Sequence, residues 1–221
     1  MDEWWHVIDF PDGTTSPGAW DLRPIAETKI PWPDLAGTRC LDIGTADGFW
    51  AFEMERRGAA DVLATDIPSF FQSRAQTRFE HARDRRGSAV RYEARSVFDL
   101  EGEFDVAFMG YVLQMVEDPI AALRSVARVA ETLILLDTVS LPLSFLPTPI
   151  ARLDARRDGR EWFVFNTRGM RKVVELSGWT VAAQTGVLAD RPGPLPVAQA
   201  AHRDWKWRVG ARGRSCAILA A

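Results

Sequence analysis

Through the middle of the chain, short apolar runs alternate with longer stretches in which apolar residues recur every three or four positions. Such short runs need cover on both faces, and the amphipathic stretches supply it. The pattern therefore predicts βαβ units and a parallel sheet. Strands are expected over residues 38–42, 61–65, 90–93, 104–109 and 132–137, with two later ones at 180–184 and 215–219. Two helices are marked by their ends. In "DPIAALRSVARVA" Asp118 is placed to cap, Pro119 takes the first helical position, and Ile120, Leu123, Val126, Ala127 and Ala130 share a face. In "NTRGMRKVVELSGW" Asn166 is the cap, Met170, Val173 and Val174 point inward, and Gly178 is the stop.

Two segments stand outside this pattern. Residues 1–36 are rich in Trp and Pro, with turn signals at "PDG" and "SPG", and are expected to form a cap on a domain spanning 37–221. Residues 138–160, "TVSLPLSFLPTPIARLDARRDGR", are broken by prolines and read as a lid-like insertion after the fifth strand. No internal repeat is visible.

At 221 residues, 47% hydrophobic and 26% charged, the chain has the make-up of one soluble α/β domain. Its acidic start lacks the features of a secretory leader, and no apolar run is long enough to span a bilayer, so a cytoplasmic protein without membrane contact is expected. Cys40 and Cys216 sit in expected strands as buried thiols, and no His, Cys and carboxylate cluster suggests a metal. The excess of Arg over Lys suggests a GC-rich bacterial genome. Charge is unevenly spread. Residues 1–36 hold seven acids against two bases, whereas 152–214 hold thirteen bases against six acids. A basic distal third is a solvated arginine-rich surface, or it attracts an anionic partner such as RNA. Within it "DWKWR", 204–208, has the alternation of a half-buried strand or of a base-stacking strip.

The chemistry concentrates in "LDIGTADGFWAFEMERRGAADVLATDI", residues 41–67. Gly44 and Gly48 let a ligand approach the backbone at a helix N-terminus. The spacing is wrong for the Gly-x-Gly-x-x-Gly of dinucleotide sites, and no Gly-Lys-Ser/Thr follows for a nucleotide P-loop. An acid at the first strand's end, Asp42, repels a pyrophosphate and suits an ammonium group. An acid at the second strand's end, Asp66, suits a ribose diol.

At these residues the sequence resembles the class I S-adenosylmethionine-dependent methyltransferases: "DIGTADG" stands at the first motif, "LATDI" supplies the second acid, and "ARSVFDLEGEFDVAFMG" is similar to the third and fourth motifs. The resemblance implies a doubly wound, seven-stranded mixed sheet of Rossmann-like type and S-adenosylmethionine as cofactor. Its binding set would be Asp42, Gly44, Thr45, Ala46, Gly48, Asp66 and Ile67, with Ser96 and Val97 flanking the adenine and Gly110 after the fourth strand. "GTADGFWAFEMERRGA", the "DPIAAL" helix and "REWFVFNTRGMRKVVELSGW" are similar, more closely, to the wobble-uridine methyltransferase and carboxymethyltransferase group acting on tRNA. Where that group has an aromatic-His pair, this chain has Gln114 and Met115, which favours the ordinary cofactor over a carboxylated one.

Methyl transfer asks mainly that an attacking lone pair be aligned with the S–CH₃ bond. His6, in the N-terminal segment, is the candidate catalytic base. His81 reads as a solvated helix position and His202 lies in the basic segment. Tyr111, Gln114 and Arg160 are candidate substrate contacts, with Asp137 at the end of the fifth strand and Arg168 and Arg171 as further cations. Phe49, Trp50 and Phe52 read as packing residues. The expected activity is O-methylation of a small-molecule hydroxyl, in natural-product metabolism for instance. An RNA-modifying enzyme and a non-catalytic cofactor-binding protein are the alternatives.

Overall fold

A computed structural model describes residues 4–67, 72–153, 162–184, 188–189 and 212–220. Ten strands form one sheet: β1 (Arg39–Ile43), β2 (Asp61–Asp66), β3 (Arg91–Ala94), β4 (Phe104–Gly110), β5 (Ala130–Ser140), β6 (Ala151–Leu153), β7 (Phe163–Phe165), β8 (Thr180–Gln184), β9 (Leu188–Ala189) and β10 (Arg212–Ala220). The main path runs β3-β2-β1-β4-β5-β10-β8. The first five strands are parallel, and β10 is antiparallel to both its neighbours. This is the doubly wound mixed sheet the sequence implies, with seven strands on the path. The remaining three, β6, β7 and β9, are short additions.

The helices are α1 (Arg23–Thr28), α2 (Phe49–Arg56), α3 (Gln72–Arg86), α4 (Pro119–Ala127), α5 (Leu141–Ser144) and α6 (Thr167–Leu176). Each face of the sheet carries its own apolar cluster. One is built by α2, α3 and the N-terminal segment on Cys40, Val106, Phe108, Ile134 and Leu136. The other is built by α4 and α6 on Leu41, Ala107, Leu133, Leu135 and Val139. Alternate residues of the strands feed alternate clusters, which is why the central runs carry no polar face. Phe49, Trp50 and Phe52 are buried packing residues, with Trp50 stacked on Phe108 at 4.4 Å between ring centroids.

The N-terminal segment completes the first cluster. Ile8, Phe10, Leu22, Ala26, Ile30 and Leu35 are all buried. Its acidic character is met by arginines of α2 and α3: Arg56 pairs with Glu27, Arg85 with Asp12, and Arg57 lies 4.6 Å over the Trp32 ring.

Two expectations need correcting. The fifth strand runs to Ser140 because β10 pairs with it continuously from Ala220↔Thr132 to Arg212↔Ser140, so Asp137 lies inside the strand. Ala130 opens β5 and does not belong to the helix, because α4 ends at Ala127. The described part of 138–160 is knitted into the fold: β6 pairs with β7, and β7 joins β5 at Val139↔Phe165. Residues 154–161, with Arg160, lie outside the described residues, as do His202 and "DWKWR"; Cys216 lies in β10 but its side chain is not described.

Asn166 caps α6 as expected and does more. Its fully buried amide accepts from the N–H groups of Ile150 (2.9 Å) and Gly169 (2.7 Å), and donates to the carbonyls of Leu143 (3.0 Å) and Thr148 (2.8 Å). One side chain thus fastens segment 143–150 across the start of α6. Asn166→Ala is expected to cost about 3 kcal/mol, since a fully buried amide is removed and four backbone partners lose their bonds at once. A urea unfolding curve whose midpoint barely moves would contradict this.

Candidate active site

The parallel strands β1, β2, β3 and β4 end on one side of the sheet, and the residues singled out in the sequence collect there. After Ile43 the backbone turns through Gly44 (φ +74°), Ala46 (φ +48°) and Gly48 (φ +98°) before α2 begins at Phe49. Gly44 and Thr45 donate to the carbonyl of Thr65, at 2.8 and 3.0 Å, which fastens the loop to β2. A side chain at Gly44 would run into Val112, and one at Gly48 would meet Phe52 at 2.6 Å. Only glycine allows the loop to lie this close to the turn after β4.

Asp42 is fully buried. Its Oδ2 accepts from the Ala51 N–H at 3.0 Å, while Oδ1 and the nearby Thr45 hydroxyl are buried with no well-aligned partner. Burial pushes the Asp42 carboxyl up to about 7, against the opposing pull of the Thr45 hydroxyl and the Ala51 N–H, and the charge on Asp66 adds to the rise. Asp66 ends β2 and is nearly buried; Oδ2 accepts from Ala46 N–H (2.9 Å) and Oδ1 from Ile67 N–H (2.8 Å). A carboxylate at this position has the acceptor chemistry that suits a vicinal diol. Ser96 caps the short 3₁₀ turn Val97–Asp99, and Arg95 N–H bonds to the Asp66 carbonyl at 2.8 Å, which sets this turn beside β2. Val97 is buried, whereas Ile67 and Phe98 expose apolar surface, 48% and 41%. Phe98 was not singled out in the sequence, where it reads as one more apolar residue of a short run.

These features fit an adenosyl amino acid. The orphaned Asp42 Oδ1 and Thr45 hydroxyl suit an ammonium group, the glycine cradle suits a close-lying chain, Asp66 suits a ribose, and Ile67 and Phe98 offer apolar surface to a base.

A second carboxylate in the loop escaped the sequence reading. Asp47 is fully buried and accepts from the backbone N–H groups of Trp5 and His6 (3.2 Å for His6) and from Arg78 Nε at 2.7 Å. Arg78, on α3, is itself nearly buried. The only hint in the sequence was an acid between two small residues of a glycine loop, where nothing local requires a charge. Through Asp47 the N-terminal segment is pinned onto the cofactor loop. His6 is thereby brought to the loop, its ring 5.9 Å from that of Phe49. Its Nδ1 is buried without a partner, and burial lowers the imidazole to about 4 against the opposing pull of Asp47. The ring is neutral across the physiological range. His81 is exposed, as expected, and meets Trp4 edge-on.

The turn after β4 supplies the rest. Gly110 packs under Trp50, where a side chain would meet Nε1 at 3.0 Å. Tyr111 has φ +62° and packs on the cluster beneath the N-terminal segment. Gln114 is buried, its Oε1 accepting from the Thr138 hydroxyl. Arg168 is engaged with the carbonyls of Ser144 and Leu146, and Arg171 with Glu175, so neither stands ready for an anion. Among the described residues no His, Cys, Asp and Glu group could hold a metal ion, and no helix is long and apolar enough to cross a membrane.

Residues 41–131 match a family model described as a methyltransferase domain. A ubiquinone biosynthesis O-methyltransferase of Neisseria meningitidis is 34% identical over 116 residues, 50% of this chain and 48% of that protein. The chain thus aligns with about half the length of the curated relatives it matches. Among solved structures, an S-adenosylmethionine-dependent methyltransferase from Mesorhizobium loti superposes with TM-score 0.59 at 16% identity, over 90% of this chain and 97% of that one. The N-terminal domain of EvdMO1, solved with S-adenosylhomocysteine (SAH) and D-fucose, gives 0.66 at 16% identity over 99% and 91%. The [4+2]-cyclase SpnF gives 0.67 at 16% identity over 90% and 80%. The fold is that of the class I methyltransferases.

Asp47→Asn leaves the Arg78 cation buried without its counter-charge and is expected to cost about 3–5 kcal/mol. The double variant with Arg78→Met should recover part of that loss. Denaturant unfolding in which the single variant matches the wild type would contradict the account of Asp47.

Proposed function

We propose that the protein transfers the sulfonium methyl of S-adenosylmethionine to a hydroxyl oxygen of a small, largely apolar acceptor. The observation that carries this reading is the pairing, at adjacent strand ends, of an orphaned buried carboxylate with a second carboxylate beside exposed apolar surface. The cofactor, when bound, supplies an electrophilic methyl group. Asp42 and Thr45 would hold the ammonium, Gly44, Ala46 and Gly48 the chain, Asp66 the ribose, and Ile67, Ser96, Val97 and Phe98 the adenine. Gly110 gives the room that a side chain would fill.

The acceptor side is formed by Tyr111 and Gln114, with Met115 and Trp162 exposed beside them. Such a rim suits an aromatic or apolar molecule, and the names of the curated relatives, which concern ubiquinone biosynthesis, agree with O-methylation. The protein's main task is alignment, bringing the oxygen to about 3–3.5 Å from the methyl carbon. His6 is the candidate base. A conjugate acid near 4 makes it a weak one, sufficient for a phenol and poorly matched to an alcohol. The finer likeness to tRNA wobble-uridine enzymes rests on "GTADGFWAFEMERRGA", the "DPIAAL" helix and "REWFVFNTRGMRKVVELSGW", and a basic distal third permits an RNA substrate, whereas the apolar rim favours a small acceptor.

Calorimetry with SAH tests the cofactor site. Asp42 must be ionised to hold an ammonium, so affinity should rise as pH climbs toward 7 and level off above it. Between pH 6 and 7 the gain should be about fivefold, steepening toward the tenfold-per-unit limit for one proton released at lower pH, and Asp42→Asn should abolish the dependence. With labelled cofactor, His6 acting as base gives an acid limb near pH 4 that His6→Ala removes. Absence of SAH binding would overturn the function; binding without methylation of any hydroxyl acceptor would leave a cofactor-binding protein; salt-sensitive tRNA binding would restore the RNA reading.

A further inference from the structure

The turn after β4 is gripped by β5 from both faces. Asp137, facing the α4 and α6 side, accepts from Leu113 N–H at 2.9 Å and from its neighbour Thr138 N–H at 2.7 Å. Thr138, on the opposite face, donates its hydroxyl to Gln114 Oε1. The Gln114 carbonyl accepts from Trp162 N–H at 2.8 Å. The backbone carbonyl and the amide oxygen of Gln114 are therefore held by two partners, Trp162 and Thr138, and only its Nε2 is left over. Among the described residues nothing accepts from Nε2, yet it is not among the sealed polar atoms, so it reaches the surface of a side chain otherwise buried. Val112, two residues earlier, packs against Gly44 of the glycine loop, which brings the turn that carries Gln114 up to that loop. Met115 and Trp162, 44% and 36% exposed, flank it with apolar surface.

From this arrangement we infer that Gln114 Nε2 reads an oxygen of the acceptor, that Thr138 is the positioning residue that turns the amide to present it, and that the acceptor is an aromatic molecule bearing a second oxygen besides the one methylated. The inference rests on the proposed transfer to a hydroxyl. An oxygen substituent satisfies a donor otherwise left facing a ring, so an analogue without it is rejected beyond what its lost area would explain. Thr138 touches no acceptor in this scheme. Removing its hydroxyl frees the amide to rotate and weakens the preference, not the transfer.

The test uses the full chain, labelled S-adenosylmethionine, and catechol against phenol as the probe pair. Wild type should favour catechol in kcat/KM by about 100-fold or more. Thr138→Val should cut that preference about tenfold, the worth of one oriented hydrogen bond, with the change falling on KM for catechol. Thr138→Ser, which keeps the hydroxyl, should restore it, and Gln114→Leu should remove the preference altogether. SAH affinity, measured by calorimetry, should not move in the Thr138 variants. Equal use of the two probes by wild type, no product from either, or a Thr138→Val enzyme with unaltered preference would overturn the inference. If SAH itself fails to bind the wild type, the functional reading falls; if SAH binds and only the preference is missing, the fault lies with Gln114 and Thr138 alone.

Discussion

A carboxylate sealed from water has to be met by donors, and Asp47 draws its donors from parts of the chain far apart in sequence. The Trp5 and His6 amides come from the N-terminal segment and the Arg78 guanidinium from α3, while Asp47 itself sits in the loop between β1 and α2. Once this charge is buried, the loop, the segment over it and the helix behind it can take few other relative positions. The glycines then matter for what they permit. Gly44 lets the turn after β4 close against the loop, and Gly48 lets α2 start on top of Phe52 and Phe79. The crevice at the carboxyl ends of the strands is what remains between these fixed pieces.

Two buried acids, Asp42 in β1 and Asp47 in the loop that follows it, have opposite fates. Asp47 is satisfied by an internal cation and serves the fold. Asp42 has one oxygen without a partner and a carboxyl raised to about 7, a state that a cationic ligand would relieve. Isolated buried charge is costly unless something uses it, and this contrast is the reason Asp42 is proposed as the ligand's acid. Beyond the crevice, Asn166 holds segment 143–150 and Thr138 holds Gln114, so the proposed acceptor side is braced by uncharged hydrogen-bonding groups, whereas the glycine loop is braced by charged ones.

Much of this was legible in the chain because it follows from local chemistry. Glycine spacing, an acid at the end of an apolar run, and Asp118 or Asn166 ahead of a helical pattern each declare themselves within a few residues. What was not legible depends on partners far away in sequence. The role of Asp47 needs Arg78 and the N-terminal amides, and the extension of β5 past Asp137 needs β10, which arrives some eighty residues later. Asn166 was visible as a cap but not as the clasp of a loop, since three of its four bonds are tertiary. Arg168 and Arg171 looked available because sequence shows charge but not the carbonyls and carboxylate that occupy it.

The central claim is that the carboxylates of Asp42 and Asp66 take opposite ends of one adenosyl amino acid. A crystal structure with SAH bound tests it most directly. The account predicts the ligand's ammonium beside Asp42 Oδ1 and its ribose hydroxyls on Asp66, with the base against Ile67 and Phe98. A ligand seated elsewhere, or seated here with either carboxylate turned away from it, would contradict the account.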